Sequence, residues 1–480
     1  MKNEDLLAGL SFFILHSFRA DFTELEGGAA PITGQRDVLH THRQGRLAMI
    51  DPRKRPGVSF LLVVAALACI AADAPPASSP FADAHELSAD VLIEQVLARN
   101  PTLTQMVAAA EAAAARYPQV VSLEDPMFAA TISPRLFGSH DLDGGYRLEL
   151  AQKYPWPGKL RLRGQNAAAE ARAAGHDVED TRLQLIESAR NAFADYYLAE
   201  RGLEVNRESL RLLKDFRGNA ETRYKTGTVQ QQDLLQADVE IGQQRQRQLT
   251  LERMRLVALA RINTLLHLPP DSPLPPPPGQ VPTRGTLPDE TVLRALALAR
   301  RPDLQAMADH IAADRASLGL AHKEYYPDFE AVAAYDDFWS ERQLRPQVGV
   351  RMNVPIRLAK RDAAVREAEA RLGQRIAELN RLTDDVNYAV DQAYQETGES
   401  DKTVRLYEQT ILPAAEQNVK SAQTSYTTAK IPFISLIEAE RSVVGLRDRY
   451  YEATADAFRR RAALERAVGG PLPTADAPKP

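Results

Sequence analysis

The chain repeats its own order of short motifs, and this duplication constrains its fold more than any other feature. Three motifs return about 200 residues later, in the same order and at nearly constant spacing. The pairs are LARNPTL (97–103) with LARRPDL (298–304), AEAR (169–172) with AEAR (368–371), and YKTGTVQQQDLLQA (224–237) with YTTAKIPFISLIEA (426–439). A repeat of this size predicts a duplicated half-molecule and not a short solenoid unit.

A proline-rich break separates the two halves. The stretch LPPDSPLPPPPGQVP, residues 268–282, has a proline density that forbids helix and favours extended polyproline. The predicted boundaries are a first repeat at 84–267, an inter-repeat linker at 268–285, a second repeat at 286–473 and a tail at 474–480.

Each half has the same predicted order of elements, beginning with a helix at roughly 84–116 and 289–323. Short extended segments follow. The predicted strand regions are 127–155, with segments 127–134 and 145–155, and 328–355, with segments 328–335 and 346–355. The second and fourth segments alternate apolar and polar residues, which predicts strands with one apolar and one polar face.

Long helical hairpins make up the rest of each half, at about 158–267 and 358–468. The first arm of each hairpin, ending near residue 225 or 428, is predicted to run for about 70 residues, a rod of about 100 Å at ~1.5 Å per residue. Apolar residues recur every seven positions in the first arm, which indicates a coiled-coil seam. These residues are Ala189, Tyr196, Leu203 and Leu210.

Composition and motifs argue against several classes of function. The net charge is −5 and no basic stripe carries interleaved aromatics, which argues against a nucleic-acid binder. The sequence has no HExxH, no glycine-rich phosphate loop after a strand and no nucleophile elbow, and its nine histidines show no ligand spacing. We therefore expect no enzyme activity, no catalytic residue, no cofactor and no metal site.

The segment near the N-terminus predicts export. Basic residues at 53–55 precede the short apolar run VSFLLVVAALA (58–68), the pattern of a secretory signal peptide. We place this signal at 49–72, which makes residues 1–48 a misread upstream extension and residues 73–83 a flexible lead-in. A short buried helix is the alternative interpretation of the apolar run.

Cys69, the only cysteine, closes an imperfect lipoprotein box, ALAC. Lipidation of Cys69 would anchor the N-terminus to a membrane leaflet. Otherwise a peptidase would cut after Ala71 or Ala72, and the sequence leaves both outcomes open.

The number of strands points to an assembly. Four strands from one chain cannot close a barrel, whereas three chains supply twelve, a feasible even number for a membrane barrel. Segments of about 8–10 residues suit tilted membrane strands. A polar face inside and an apolar face outside would make the barrel a water-filled pore, which the rods would continue as a helical tube.

Over about residues 84–473 the sequence resembles the TolC-like outer membrane factors, the exit ducts of Gram-negative tripartite efflux pumps. The resemblance rests on the duplicated halves, on the Tyr-x-x-Gly…Asp-Leu-Leu-x-Ala corner, and on proline-bounded strand ends at YPWPGK (154–159) and NVPIRLAKR (353–361). It implies a mainly α fold with a small membrane β-barrel portion, in which a trimer forms a 12-stranded β-barrel plus an α-helical barrel. YPWPGK is most similar to members that serve heavy-metal or cation exporters of the RND type.

The resemblance also implies a location and partners. The chain would form a passive homotrimeric duct in outer membrane lipid, with a periplasmic helical extension that meets a periplasmic adaptor (membrane fusion) protein and an inner-membrane pump of RND type. Whether drugs or metal cations pass through it is left open. The alternative is a soluble periplasmic coiled-coil scaffold or adaptor, although adaptors have one hairpin and this chain has two.

In this family the two corners are periplasmic hairpin tips against which the adaptor docks. Gly227 permits the tight reversal of the first corner. The second corner has Ala429 in the glycine position, and Pro432 can start the returning helix. The docking rim that the resemblance implies comprises Thr226, Gly227, Thr228, Val229, Ala429, Lys430, Ile431 and Pro432.

The resemblance further implies a periplasmic gate. Asp233 and Glu438 lie one to two turns into the returning helices, where acidic residues of the family line the closed entrance, and Tyr426 with Asp233 is the pair that would hold it shut. Three-fold symmetry would gather like carboxylates near the axis, which selects cations and raises carboxyl pKa values. The alternative is that both carboxylates are simply favoured by the helix dipole near an N-terminus.

Overall fold

The computed structural model describes residues 81, 85–133, 144–281, 286–428 and 430–473. All of them belong to one compact unit, residues 75–480. The predicted features that lie outside the described residues are the upstream extension, the signal peptide with Cys69, all of the lead-in except residue 81, linker residues 282–285, Ala429 in the second corner and the tail.

The two halves have the same succession of elements. The first half contains α1 (Ala89–Arg99), α2 (Pro101–Val121), β1 (Met127–Ser133), β2 (Gly145–Tyr154), α3 (Lys159–Lys225) and α4 (Gln231–Leu265). The second half contains α5 (Glu290–Arg300), α6 (Pro302–Lys323), β3 (Phe329–Asp336), β4 (Pro346–Met352), α7 (Leu358–Leu406), α8 (Leu412–Thr427) and α9 (Phe433–Val468). A short 3-10 helix, Arg342–Leu344, precedes β4, and a π-helical turn, Tyr407–Ile411, joins α7 to α8. Three of the four strands lie within the segments predicted to be extended, and β3 runs one residue past its predicted segment, to Asp336.

The prediction of one continuous opening helix in each half is wrong, because a proline breaks each of them. Asn100 and Arg301 have extended backbones, with ψ of 121° and 123°. A residue before proline avoids the α region for steric reasons. Pro101 and Pro302 then begin the next helix, where the missing N–H is not needed.

The two break residues also hold the ends of the returning hairpin helices. Asn100 Nδ2 donates to the Leu265 carbonyl oxygen at 2.9 Å, and Arg301 Nη1 donates to the Ala467 carbonyl oxygen at 3.3 Å. The backbone of Arg301 passes so close to Gly469 that a Cβ there would lie 3.1 Å from Arg301 N and Cα. In both halves, the junction between the two opening helices is therefore bonded to the C-terminal end of the returning hairpin helix.

The described part of the proline-rich linker, residues 268–281, contains no helix or strand, and it packs against the first half. The Leu87 N–H donates to the Pro276 carbonyl oxygen at 2.8 Å, and the Tyr196 hydroxyl donates to the Pro275 carbonyl oxygen at 3.2 Å. Phe81 lies within the segment predicted to be a flexible lead-in, but it is buried in an apolar cluster together with Leu87 and Tyr196.

The strands form one antiparallel sheet in the order β1-β2-β3-β4. Leu150 of β2 pairs with Phe128 of β1 and with Ala333 of β3, so the central pair of strands comes from different halves. In the described residues β1 and β4 each have one edge without a partner strand.

The first arm of each hairpin has the predicted length, but only the first is a plain helix. Helix α3 runs unbroken for 67 residues, and the four seam residues predicted from the heptad spacing are buried. The corresponding arm of the second half changes to a π turn just before Pro413. A proline clashes with the carbonyl of the preceding turn, and a π turn is one way in which a helix accommodates such a break.

Helix α3 is the central element of the unit. It packs against α2 and its hairpin partner α4, and also against α6 and α9 from the second half. The two hairpins are therefore joined along α3 and α9.

Candidate functional site

The first corner reverses the chain tightly after α3. Gly227 has a φ of 72°, in the left-handed region that favours glycine, and its N–H donates to the Tyr224 carbonyl oxygen at 2.9 Å. The Thr228 N–H and the hydroxyls of Thr226 and Thr228 all donate to the Arg223 carbonyl oxygen at 2.9 Å. The reversal at Gly227 is thus the one predicted from the sequence.

The second corner closes in a related way. The Lys430 N–H donates to the Ser425 carbonyl oxygen at 2.8 Å, and the Thr428 N–H donates to the Thr424 carbonyl oxygen at 3.1 Å. Pro432 is extended and immediately precedes the first residue of α9. The returning helix therefore starts one residue after this proline.

Most of the predicted docking rim is exposed. Val229 and Ile431 are the exceptions among its described members, since both are half-buried and Ile431 packs against the apolar cluster behind the corners. The exposed members are Thr226, Gly227, Thr228, Lys430 and Pro432.

One apolar cluster, here called the tip cluster, joins the two hairpins behind the corners. Its buried members are Leu210, Leu213, Phe216, Ala237 and Ile241 from the first hairpin and Tyr426, Phe433, Leu436 and Ile437 from the second. The equivalent tyrosines of the two corners differ: Tyr224 is 44% exposed and Tyr426 is 5% exposed. Corners that look alike in sequence therefore have different environments, because only the second points its tyrosine into the cluster.

The predicted gate residues are brought together only in part. The buried Tyr426 hydroxyl makes no hydrogen bond with any residue that the structure describes. Burial raises the pKa of Tyr426, the nearby Arg223 guanidinium lowers it, and the charge of Asp233 raises it. Burial also raises the pKa of Asp233, which is half-buried. Tyr426 and Asp233 thus lie within electrostatic range without a direct bond, whereas Glu438 is exposed and its charge acts on Arg441.

Arg223 is a candidate that the sequence did not predict. From the last turn of α3, its Nη1 donates to the Tyr426 carbonyl oxygen at 3.0 Å and its Nη2 donates to the Thr427 carbonyl oxygen at 2.9 Å. Its guanidinium carbon lies 5.0 Å from the centroid of the Tyr426 ring. These carbonyls are at the C-terminus of α8, where a helix leaves acceptors unpaired and favours a cation. The sequence signal was a basic residue at a predicted helix end, but the helix that it caps belongs to the other hairpin.

Two buried carboxylates behind the tip cluster were also missed. Glu240 of α4 is 2% exposed and forms an ion pair with Arg441 of α9, which ties the returning helices together. Glu440 of α9 is 3% exposed, and its Oε2 has no hydrogen-bond partner among the described residues. Burial raises the pKa of Glu440.

The sheet has two faces of opposite character. The apolar face is exposed; its residues include Phe128, Ile132, Leu148, Leu150, Val348 and Val350. The other face carries charges that are paired within β2 and between neighbouring strands. Its ion pairs are Arg147 with Glu149 at 3.0 Å and with Asp336 at 3.6 Å, and Arg351 with Glu330 at 3.3 Å and with Glu149.

Within the described ranges, no group of three or more His, Cys, Asp or Glu side chains is placed to hold a metal ion. The helices in the same part of the chain include none that is both long and apolar enough to span a membrane.

Comparisons with known proteins agree with this architecture. Residues 293–470 match the family described as Outer membrane efflux protein. No curated protein matches the sequence. Three solved structures share the fold over 80% of this chain: the outer-membrane channel OprN (21% identity, TM-score 0.68, 90% of that chain), CusC (17%, 0.70, 93%) and the outer membrane protein VceC from Vibrio cholerae (20%, 0.66, 96%). The resemblance predicted from the sequence and the predicted fold class are confirmed.

Proposed function

Starting from a chain whose second half is an outer membrane efflux protein domain, we propose that this protein is the outer membrane exit duct of a tripartite efflux system. It acts as a passive homotrimeric channel. The three sheets join into a 12-stranded barrel in the outer membrane, and the hairpins extend it into the periplasm as an α-helical barrel.

The observation that carries this proposal is the pair of opposite faces on the sheet. Val348 is 91% exposed and Ile132 is 74% exposed, and a contiguous apolar surface of this kind is costly in water. Turned towards lipid, the same surface is favourable. The paired charges of the other face then line a polar lumen, as in membrane barrels.

The open edges of the sheet support the trimer. Unpaired N–H and C=O groups cannot face hydrocarbon. Pairing β4 of one copy with β1 of the next satisfies both edges, and three copies close the ring. The solved relatives are consistent with this, since OprN is described as an outer-membrane channel and CusC as undergoing transmembrane channel formation.

The two corners are the proposed periplasmic entrance. Their exposed rim, with Lys430 and Pro432 on the second corner, is the surface offered to a periplasmic adaptor, which connects the duct to an inner-membrane pump of RND type. Asp233, Tyr426 and Glu438 remain the proposed gate residues. An acidic entrance would favour cationic drugs or metal cations as cargo.

Extraction from a membrane fraction, with mass determination and single-channel recording in planar bilayers, tests the proposal. A trimeric mass with small, cation-selective currents that divalent cations reduce is expected. A soluble monomer or dimer without conductance would instead support the alternative, a periplasmic coiled-coil scaffold or adaptor.

A further inference from the structure

We propose that Arg223 is the latch that holds the two hairpins of one protomer together at the entrance, and that it acts through the backbone end of α8 and the ring face of Tyr426. In this latch the phenolic hydroxyl of Tyr426 contributes less than the ring face and the backbone carbonyl do. The inference rests on the proposed function, because a latch matters only if the hairpin tips form an entrance that opens.

Three contacts of Arg223 cross from the first hairpin to the second. Its two Nη atoms donate to consecutive carbonyl oxygens, those of Tyr426 and Thr427, at 3.0 and 2.9 Å. The planar guanidinium suits two parallel hydrogen bonds of this kind. The guanidinium also lies over the Tyr426 ring at 5.0 Å, within the range of a cation–π interaction.

The Tyr426 hydroxyl contributes no comparable bond. It is buried in the tip cluster and unbonded to any described residue, and Asp233 acts on it only through its charge. Removing this hydroxyl should cost less than removing the guanidinium, because the hydroxyl makes no well-aligned hydrogen bond with a described residue. Removing the Arg223 guanidinium takes one donor away from each of two helix-end carbonyls and exposes one side of a buried ring.

The charged pairs closest to Arg223 in sequence stay within the first hairpin. Arg217 pairs with Asp238 of α4 at 2.6 Å, and Lys225 pairs with Glu221 of α3 at 2.9 Å. Arg217 and Arg223 lie on the same helix, carry the same charge and are both partly exposed. They differ in whether their partners belong to the same hairpin or to the other one, so Arg217 supplies a matched control.

The test compares Arg223→Gln with Arg217→Gln in the full-length trimer by single-channel recording. For R223Q we expect the ratio of open to closed states to rise about ten-fold, the effect of losing the two bonds and the ring contact. R217Q should conduct as the wild type does. Arg223→Lys keeps the charge but loses the paired donors, so an intermediate rise is expected. Tyr426→Phe should open the channel less than R223Q does.

Hydrogen exchange of the α8 C-terminal amides provides a second readout, which should quicken in R223Q but not in R217Q. If R223Q does not assemble, R223K and Tyr426→Leu carry the test, and both should open the channel partway. Wild-type conductance in R223Q, or an opening of Tyr426→Phe as large as that of R223Q, would overturn the latch while leaving the duct intact. A wild-type trimer that never conducts would overturn the proposed function and the latch together.

Discussion

Lys159 Nζ lies 2.9 Å from Asp328 Oδ1, and this ion pair joins the first residue of α3 to the residue before β3. Lys159 is fully buried, and its ammonium also contacts the Glu324 carboxylate and the Tyr326 carbonyl oxygen, both at 3.3 Å. Asp328 accepts a second hydrogen bond from the Trp156 N–H at 2.8 Å. The three N–H donors of the Lys159 ammonium thus link the two halves of the chain at the point where the sheet meets the hairpin helices.

The two partners of this ion pair are not equivalent, so their removal should have unequal costs. Asp328→Asn leaves the Lys159 ammonium buried with only the Glu324 carboxylate as an anionic partner, and we expect it to lower the free energy of unfolding by about 3 kcal/mol. Lys159→Met removes the buried charge itself and leaves Asp328, about a third exposed, to be solvated by water. Lys159→Met should therefore lower the free energy of unfolding by less than Asp328→Asn does.

Denaturant unfolding followed by tryptophan fluorescence measures both costs, since Trp156 stacks on Tyr326 at 5.0 Å beside the pair. Equal losses in the two variants, or a larger loss for Lys159→Met, would contradict this account of the junction.

Local patterns in the sequence predicted the elements because the causes of those elements are local. Period-two alternation around Val348 and Val350 marked β4, and heptad spacing marked the buried seam of α3. The break at Asn100 could also have been predicted, since Pro101 restricts it.

Contacts between the halves could not be predicted in the same way. Lys159 meets Tyr326 across 167 positions, and Arg223 meets Tyr426 across 203 positions. Nothing in the residues around either one identifies the partner. The duplication also could not distinguish Tyr224 from Tyr426, because equal sequence positions face different neighbours once the two hairpins pack together.

Adjacent residues of β4 test which face of the sheet meets lipid. Val348 lies on the apolar face and Gln347 on the charged face, at nearly the same height in the strand. If the apolar face is in the bilayer, Val348→Arg should destabilise the trimer by about 2–4 kcal/mol, the cost of a lipid-facing arginine near the midplane. Gln347→Arg should be tolerated.

Unfolding of the trimer in lipid vesicles compares the two β4 variants directly. Similar losses for Val348→Arg and Gln347→Arg would mean that neither face is buried in hydrocarbon. Repeating both in detergent indicates whether the difference depends on the bilayer.

Two glycines of the first hairpin should respond to alanine with opposite signs. At Gly227 a Cβ would meet no neighbour within 4 Å, but the φ of 72° makes any side chain unfavourable there, by about 1–2 kcal/mol. At Gly218, inside α3, a Cβ also has open space, and alanine should stabilise the helix by about 1 kcal/mol.

Hydrogen exchange of the amides around the first corner measures this pair locally. Gly227→Ala should speed exchange there and Gly218→Ala should slow it. Faster exchange in both variants would mean that the backbone conformation of the glycine does not decide whether alanine is tolerated at these two positions.

Glu440 is buried near Arg447, which forms its ion pairs with other carboxylates. Arg447 Nη1 donates to Glu208 of α3 at 2.7 Å, and its Nη2 donates to Glu416 of α8 at 3.0 Å. Burial raises the pKa of Glu440, the Arg447 charge lowers it and the Glu208 charge raises it, with a raised pKa as the net result. Arg447 acts on Glu440 from its own helix and Glu208 acts from α3, and no cation among the described residues forms an ion pair with the Glu440 carboxyl.

This raised pKa predicts a definite direction for the pH dependence of stability. In the folded state Glu440 keeps its proton at pH values where the unfolded chain has released it. Below the ordinary carboxyl pKa, Glu440 is neutral in both states and its contribution to stability is fully present. As the pH rises from the ordinary carboxyl pKa to the folded-state pKa, the free energy of unfolding falls by up to ~1.4 kcal/mol per pH unit. Glu440→Gln cannot ionise, so its melting temperature should decline less between about pH 4 and pH 8. An unchanged slope in Glu440→Gln would assign the titration to another group.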